Sequence, residues 1–340
     1  MSGTRRISLA EAESLAQRTL MANEVAEANA RIVARALVRA EADGQAGHGL
    51  SRLPSYALQA RAGKVDGRAV PRLIEAGEAA IRIDAGHGFA YPAIACAIDA
   101  LAERAPRAGI AAAAIFHSHH FGQAGAHVEA LAARGLIGLM FGNSPKAIAF
   151  WGGRRPMLGT NPFAFACPLP DGPPLVIDLA LSRVARGKIN AARQQGKTIP
   201  EGWALDAEGR PTTDPAAALA GSMLPIGEAK GAAIALAIEI LAAALTGSAF
   251  GFEASSLFDE KGPPPDLGHV LIALDPARLS GGSFSARMSV LLAAFAEEDG
   301  ARLPGSRRLA HRARAEADGL DVPNALLAEI EALNAGEPTA

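Results

Sequence analysis

Three histidines fall within four positions of AIFHSHHFGQAG, the stretch from Ala114 to Gly125, where an apolar run gives way to a turn punctuated by glycine. Residues of this type at this spacing open three chemistries. His117 and His119, alternate residues of a strand, could supply two metal ligands, but no H-E-x-x-H, cysteine cluster or Asp-rich loop offers the others. A histidine at a strand end can also do no more than bond to backbone or water, which is the default for any one of the three. Or a histidine, with its ordinary pKa of about 6.5, beside a helix N-terminus that attracts anions, can pass a proton to or from a bound molecule. That third reading favours His120, next to the helix that Gly122 opens. In an extended chain His117 and His119 face one side and His120 the other.

GHGLSR (47–52) flanks His48 with glycines, which allow close backbone approach, and sets Arg52 where its guanidinium can form a fork to a carboxylate. Taken alone, a polar loop explains this stretch as well. From Phe141 to Lys188 the chain is dense in Asn-Ser-Pro, Gly-Gly and Gly-Thr-Asn-Pro turns between apolar strands. Asp178 closes one of those strands, where a carboxylate either caps the following turn, the favoured reading, or holds a ribose or a histidine. Lys230 stands at the start of an apolar helix, the unfavourable end for a cation, which hints at a ligand anion offsetting it. Standard nucleotide signatures are missing: no G-x-G-x-x-G follows a strand, and neither a P-loop nor a G-x-S-x-G elbow occurs.

Helices at the termini and strands in the centre must position these residues. Ser8-Leu-Ala-Glu11 has capping-box spacing and predicts a helix start; Asn23 is a second cap candidate, ahead of an apolar stripe through Ile32, Val33, Leu37 and Val38. LPSYALQARAG reads as a helix stopped by Gly63. Strand-length apolar runs bounded by Gly, Pro, Asn or Asp follow at 79–86, 109–116, 136–142, 162–169, 174–180 and 269–274, with helices at 91–105 and 123–134. A helix from Ala229 to Leu245 is apolar nearly all round, which implies burial. The tail from Ala286 to Leu333 is helical again. The expected class is α+β: a helical subdomain from 1–75 with 286–340, and a mixed, mostly antiparallel sheet region over 76–285.

Composition narrows the partners. The 340 residues carry 33 Lys and Arg against 35 Asp and Glu, which argues against a nucleic-acid or anionic-membrane footprint. The two cysteines, Cys96 and Cys167, fit a reducing cytoplasm better than a disulfide framework. No export signal is visible, and Glu239 interrupts the most apolar region before it reaches spanning length.

Taken together, the motifs resemble the type 2 malate/L-lactate dehydrogenase family, whose relatives include ureidoglycolate, sulfolactate and ketimine (piperideine-carboxylate) oxidoreductases. They are GHGLSR, HSHHFG (117–122), NSP (143–145), GTNP (159–162), DLALSRVARGK (178–188), EGWALDAEGRPTTDP (201–215), PIGEAKG (225–231), GHVLIALDP (268–276) and LPG (303–305), in order along most of the chain. The resemblance implies a non-Rossmann fold binding NAD or NADP, a homodimer, and hydride transfer between nicotinamide and the C2 of a small 2-hydroxy or 2-oxo acid that carries a carboxylate. It implies that His120 is the general acid/base, with Phe121 and Gly122 beside the nicotinamide. His48 matches a proton donor of the ketimine-reducing branch, and Arg52 its carboxylate partner. Ser144, Asp178, Leu179, Ala180 and Lys230 match cofactor- or substrate-contacting positions, and Thr160 a substrate-side one. His117 and His119 stand where the family has asparagine, which suggests polar support of the turn. Gly47 replaces the family's serine, Glu228 replaces a glycine beside Lys230, and Lys188 stands where ketimine reducers carry a carboxylate, which favours 2-hydroxy acids. Reduction of cyclic 2-imino acids is the alternative, and a metal-dependent hydrolase or lyase using His117–His120 the second. Arg307 and Arg308 could meet a 2′-phosphate, though ordinary surface charge is the favoured reading.

Overall fold

In the computed structural model, which describes residues 3–335, β1 (Thr4–Ile7) leads into α1 (Leu9–Ala22). The capping box forms as its spacing predicts: Ser8 Oγ accepts from the Glu11 N–H, and the Glu11 carboxylate accepts from the Ser8 N–H. Asn23, expected to open the second helix, closes the first. Its N–H donates to Leu20 O and its side-chain amide to Thr19 O, because an asparagine amide can serve the orphan carbonyls of a helix end as readily as its oxygen serves a helix start. α2 (Glu27–Ala42) then begins at an uncapped Ala26. Two 3₁₀ turns carry residues 46–52 into α3 (Leu53–Arg61).

β2 (Arg72–Glu75), β3 (Ala80–Asp84), α4 (Ala90–Ala108), β4 (Ile110–Ser118), α5 (Ala124–Ala132) and β5 (Ile137–Gly142) follow, then the short β6 (Ile148–Ala149) and β7 (Pro156–Leu158). β8 (Phe163–Cys167), β9 (Leu175–Leu179), α6 (Arg186–Gln194), β10 (Ala204–Leu205), β11 (Pro211–Thr212), α7 (Pro215–Ala220) and β12 (Ser222–Met223) come next. α8 (Ala229–Glu239) continues into a π turn, Ile240–Ala244, before β13 (Leu267–Leu274), α9 (Pro276–Leu279), α10 (Phe284–Ala296), α11 (Ser306–Asp318), β14 (Leu320–Pro323) and α12 (Asn324–Asn334). The central sheet runs β2-β3-β4-β13-β5-β8-β9, and every neighbouring pair is antiparallel except β3 with β4. A second sheet runs β11-β10-β12-β6-β7. β1 pairs with β14 and ties the two ends of the chain together, a pairing the sequence reading missed.

Three apolar clusters hold this arrangement. α4 and α5 pack Ile94, Leu101, Val128 and Leu131 against Ile81, Ile115, Met140 and Leu271 of the central sheet. The terminal helices enclose Leu20, Leu37, Leu53, Tyr56 and Ile330. The second sheet packs Ile148, Leu158 and Met223 against Ile238 of α8. α8 is not the buried helix its composition suggested: Ile234 is 51% exposed and Ile240 53%, because only the face through Ala232, Ala235 and Ile238 reaches the sheet. α10 likewise buries none of its residues within this chain.

Candidate active site

The histidine stretch does not alternate as an extended strand would. β4 ends at Ser118 after His117 adopts φ +49, and a register irregularity between Leu267 and His269 marks the same point on β13. The three rings therefore go to three different partners. His117 Nδ1 donates to Asp84 at 3.0 Å. His119 Nε2 donates to Gln59 Oε1 at 2.7 Å in a fully buried setting. His120 Nδ1 shares a hydrogen bond of 2.5 Å with the Tyr56 hydroxyl, which in turn lies 3.1 Å from the Tyr91 hydroxyl. Among the described residues no group of three His, Cys, Asp or Glu side chains could hold a metal ion.

His120 lines a cavity of about 770 Å³ together with His48, Arg52, Ser144, Thr160 and Ala180. The His48 and His120 rings stack with centroids 5.3 Å apart. Arg52 Nε donates to the Gly47 carbonyl at 2.8 Å, and its guanidinium carbon lies 4.6 Å from the centre of the Phe258 ring. The backbone oxygen of residue 47 thus holds the arginine at Nε, and the Phe258 ring meets the face of its guanidinium. The two turn motifs serve the same wall. Asn143 and Asn161 both donate to the buried Glu239 carboxylate, which also accepts from Gly251 N, and this leaves Ser144 and Thr160 facing each other with Oγ–Oγ1 3.3 Å. Gly159 is required there, since a Cβ would sit 2.2 Å from Ser144 O.

Burial dominates the electrostatics. It lowers His48 to about 4, with the Arg52 charge adding to the effect, and holds His120 well below the ordinary histidine range, with Arg52 and His48 adding. Both rings are neutral near neutral pH. Burial pushes Tyr56 up to about 12 and Tyr91 further, so both hydroxyls keep their protons. The pocket therefore offers a neutral imidazole backed by two hydroxyls, next to a cation.

Other expected residues lie elsewhere. Phe121 is buried beneath the pocket, its ring 4.8 Å from His269. Gly122 takes φ +68 where any Cβ would strike the Tyr91 hydroxyl. Leu179 is 46% exposed, Lys230 is exposed on the first turn of α8, and Lys188 is exposed on α6. Asp178 caps no following turn: its carboxylate accepts from Gly125 N at 2.8 Å, at the start of α5. It lines a second cavity of about 400 Å³ with Gln45, Arg302, Gly305 and Arg307. Arg308, expected as surface charge, is 8% exposed and bonds Asp43 at 3.1 Å and Glu129 at 2.7 Å. Arg312 bonds the same two carboxylates. Burial alone would raise Asp43 and Glu129, but hydrogen bonds from Arg312, joined by Gln123 on Asp43 and Arg308 on Glu129, outweigh it and hold both below the ordinary carboxylate range.

Tyr56, Gln59 and Glu239 were missed as site residues. Arg52, Tyr56 and Gln59 recur at the i, i+4, i+7 spacing of one helix face, which is a signal the sequence did contain.

The Malate/L-lactate dehydrogenase family model matches residues 7–331. A (2R)-3-sulfolactate dehydrogenase (NADP(+)) of Chromohalobacter salexigens is 53% identical, over 97% of this chain and 98% of that one. A Delta(1)-pyrroline-2-carboxylate reductase of Ancylobacter novellus is 42% identical, over 96% and 97%. The crystal structure of a delta1-piperideine-2-carboxylate reductase from Pseudomonas syringae superposes with a TM-score of 0.91 at 37% identity, covering 97% of this chain and all of the other. The sulfolactate dehydrogenase of Methanocaldococcus jannaschii superposes with a TM-score of 0.90 at 28% identity, covering 98% and 97%.

Proposed function

Because the chain belongs to the malate/L-lactate dehydrogenase family and is an NAD(P)-dependent oxidoreductase of 2-hydroxy and 2-oxo acids, we propose that it interconverts a sulfolactate-type 2-hydroxy acid and its 2-oxo acid with NADP(H). The observation that carries this reading is the meeting of His48, Arg52 and His120 in one cavity.

A bound nicotinamide would supply the hydride chemistry at the substrate C2. Arg52 clamps the substrate carboxylate and so orients C2. Arg186 also lines the cavity; it donates to the Leu219 carbonyl at 3.1 Å, and its remaining guanidinium donors suit the second anionic group of a sulfonated acid. His120, kept neutral by burial, accepts the hydroxyl proton during oxidation. During reduction it must deliver a proton to the developing alkoxide, and a carboxylate on Arg52 helps it do so by offsetting the guanidinium charge that adds to burial in depressing its pKa. Tyr56 holds the ring through Nδ1. His48 stacks on His120 and orients substrate or nicotinamide.

The residues fit a dinucleotide. Val176 and Asp178 line the cavity at Arg302 and Arg307, while Ala180 lines the His120 pocket; Gln45 lines the first and His48 the second. Four strand residues span about 13 Å, the scale that separates the phosphate end of a dinucleotide from its nicotinamide. Arg302 and Arg307 would hold the phosphate end, and Ser144, Thr160 and Ala180 the reacting end. Phe121 and Gly122, which pack against His120 and Tyr91, would support the reacting end without lining the pocket, and Asp178 and Leu179 would act through the strand that joins the two cavities; among the described residues no side-chain bond of Lys230 supports a role for it.

The exposed apolar residues of α8 (Ile234, Leu236), of the π turn after it (Ile240) and of α10 (Val290, Leu291) support a homodimer that covers them. No described helix is long and apolar enough to cross a membrane, and the free cysteines fit a cytoplasmic setting.

Initial rates with NADPH and NADH against sulfopyruvate, oxaloacetate, pyruvate and the cyclic imines Δ1-pyrroline- and Δ1-piperideine-2-carboxylate test the reading. Sulfopyruvate with NADPH should give the highest kcat/KM. A cyclic imine that exceeds it would make this chain a ketimine reductase.

A further inference from the structure

Lys64 is 2% exposed, just beyond Gly63 at the end of α3. Its amine donates to Asp259 O at 2.9 Å and Lys261 O at 2.6 Å, and lies 3.5 Å from the Asp259 carboxylate. Three N–H donors thus meet three oxygens, all on one turn nearly two hundred positions along the chain. Gln59 reinforces the same point, donating to Asp259 O at 3.1 Å while its Oε1 accepts from His119. Burying a lysine amine is costly even when every donor is met, so the packing of the helical layer gains little from it. What it secures is the position of the turn.

That turn is one wall of the pocket. Leu257, 5% exposed, anchors it, and Phe258 projects from it over the Arg52 guanidinium. Phe258 is itself 66% exposed, so no surrounding core fixes its ring; its place depends on the backbone that Lys64 holds.

We propose that Lys64 is a positioning residue of the substrate pocket: by gripping the carbonyls of Asp259 and Lys261 it sets Phe258 over Arg52 and confines the guanidinium to the orientation a substrate carboxylate meets. The proposal rests on the reading of Arg52 as the carboxylate partner. The aromatic face attracts the cation and excludes water from one side of it, which strengthens the ion pair with substrate. With the turn released, the guanidinium gains rotational freedom that substrate binding must remove. Substrate affinity falls while the His120 chemistry stays intact.

Steady-state kinetics of Lys64→Met, Phe258→Ala, the double variant and Arg52→Ala, with sulfopyruvate or whichever acid of the screen above is turned over fastest, test this together with NADPH dissociation constants. Lys64→Met and Phe258→Ala should each raise KM about tenfold, with kcat within about threefold and NADPH binding unchanged. The double variant should be no worse than either single one, because both changes release the same contact. Phe258 is exposed, so its variant folds whatever happens to Lys64→Met. An unchanged KM in Phe258→Ala, a Lys64→Met protein that loses thermal stability at unchanged KM, or losses that multiply in the double variant each overturn the proposal. If Arg52→Ala raises KM and the other two do not, only the role of Lys64 is wrong. If Arg52→Ala leaves KM unchanged, the reading of the pocket fails with it.

Discussion

The two cavities treat charge in opposite ways. At the His120 pocket, burial favours the uncharged forms: His48 and His120 are driven down and Tyr56 and Tyr91 up, and among the described residues none of the four is hydrogen-bonded to a carboxylate. Beside the second cavity the same burial is overcome. Arg308 and Arg312 surround Asp43 and Glu129, Arg39 adds a bond of 2.7 Å to Glu129, and both carboxylates are held below the ordinary range. Compensated charge makes a rigid frame that joins the end of α2, α5 and α11. The uncompensated imidazoles hold protons loosely while the uncompensated hydroxyls keep theirs, and that difference sets the pocket apart from the ion cluster.

Acid should expose the contrast most strongly. The ordinary histidine value is 6.5, while folding lowers His48 to about 4 and His119 and His269 to about 3, in each case chiefly through burial. Below 6.5 the unfolded chain takes up protons at these sites and the folded chain does not, so their stability contribution is complete above 6.5 and drains away as pH falls toward 4. The carboxylates of the ion cluster, lowered from 3.8 and 4.5, lose their contribution only in stronger acid. The thermal midpoint should therefore drop steeply between about pH 6.5 and 4; a flat profile would remove the distinction between the two regions.

Within the pocket, His120→Ala should lower kcat by about 10²–10⁴ with little change in NADPH affinity, because a positioned acid/base is worth that much. A kcat within tenfold of the parent would move the proton transfer to another group. On the other side of the comparison, Arg308→Met leaves two buried carboxylates short of a partner and should cost about 3 kcal/mol of stability by urea unfolding. If the region only frames the site, kcat at saturating substrate changes little. The smallest effect is expected for Tyr56→Phe, which keeps the packing but removes one hydrogen bond from His120 Nδ1, about 1–1.5 kcal/mol or roughly tenfold in kcat. A Tyr56→Phe enzyme with parental kcat would mean that stacking on His48 alone holds the ring.

Much of this was legible without coordinates. The Ser8 cap, the six central strands and the helices between them follow from caps, periods and turn residues, which act over a few neighbours. The ordered motifs pointed to His48, Arg52, His120, Ser144, Thr160 and Ala180, and these six line one pocket. The errors share a cause. Asn23 can end a helix or start one; α8 is apolar on faces that the chain does not cover; Arg308 beside Arg307 reads as surface charge until two acids from distant helices close on it. None of these is decided by near neighbours.

The sequence by itself determined most of the helices, six of the seven central strands, the family and the types of residue available for proton transfer, because propensity and motif spacing are local. Only the tertiary structure decided which partner each histidine meets. The turn at His117 sends three adjacent imidazoles to Asp84, Gln59 and Tyr56, and solvent exclusion, a property of the whole packed volume, makes the third one neutral beside Arg52.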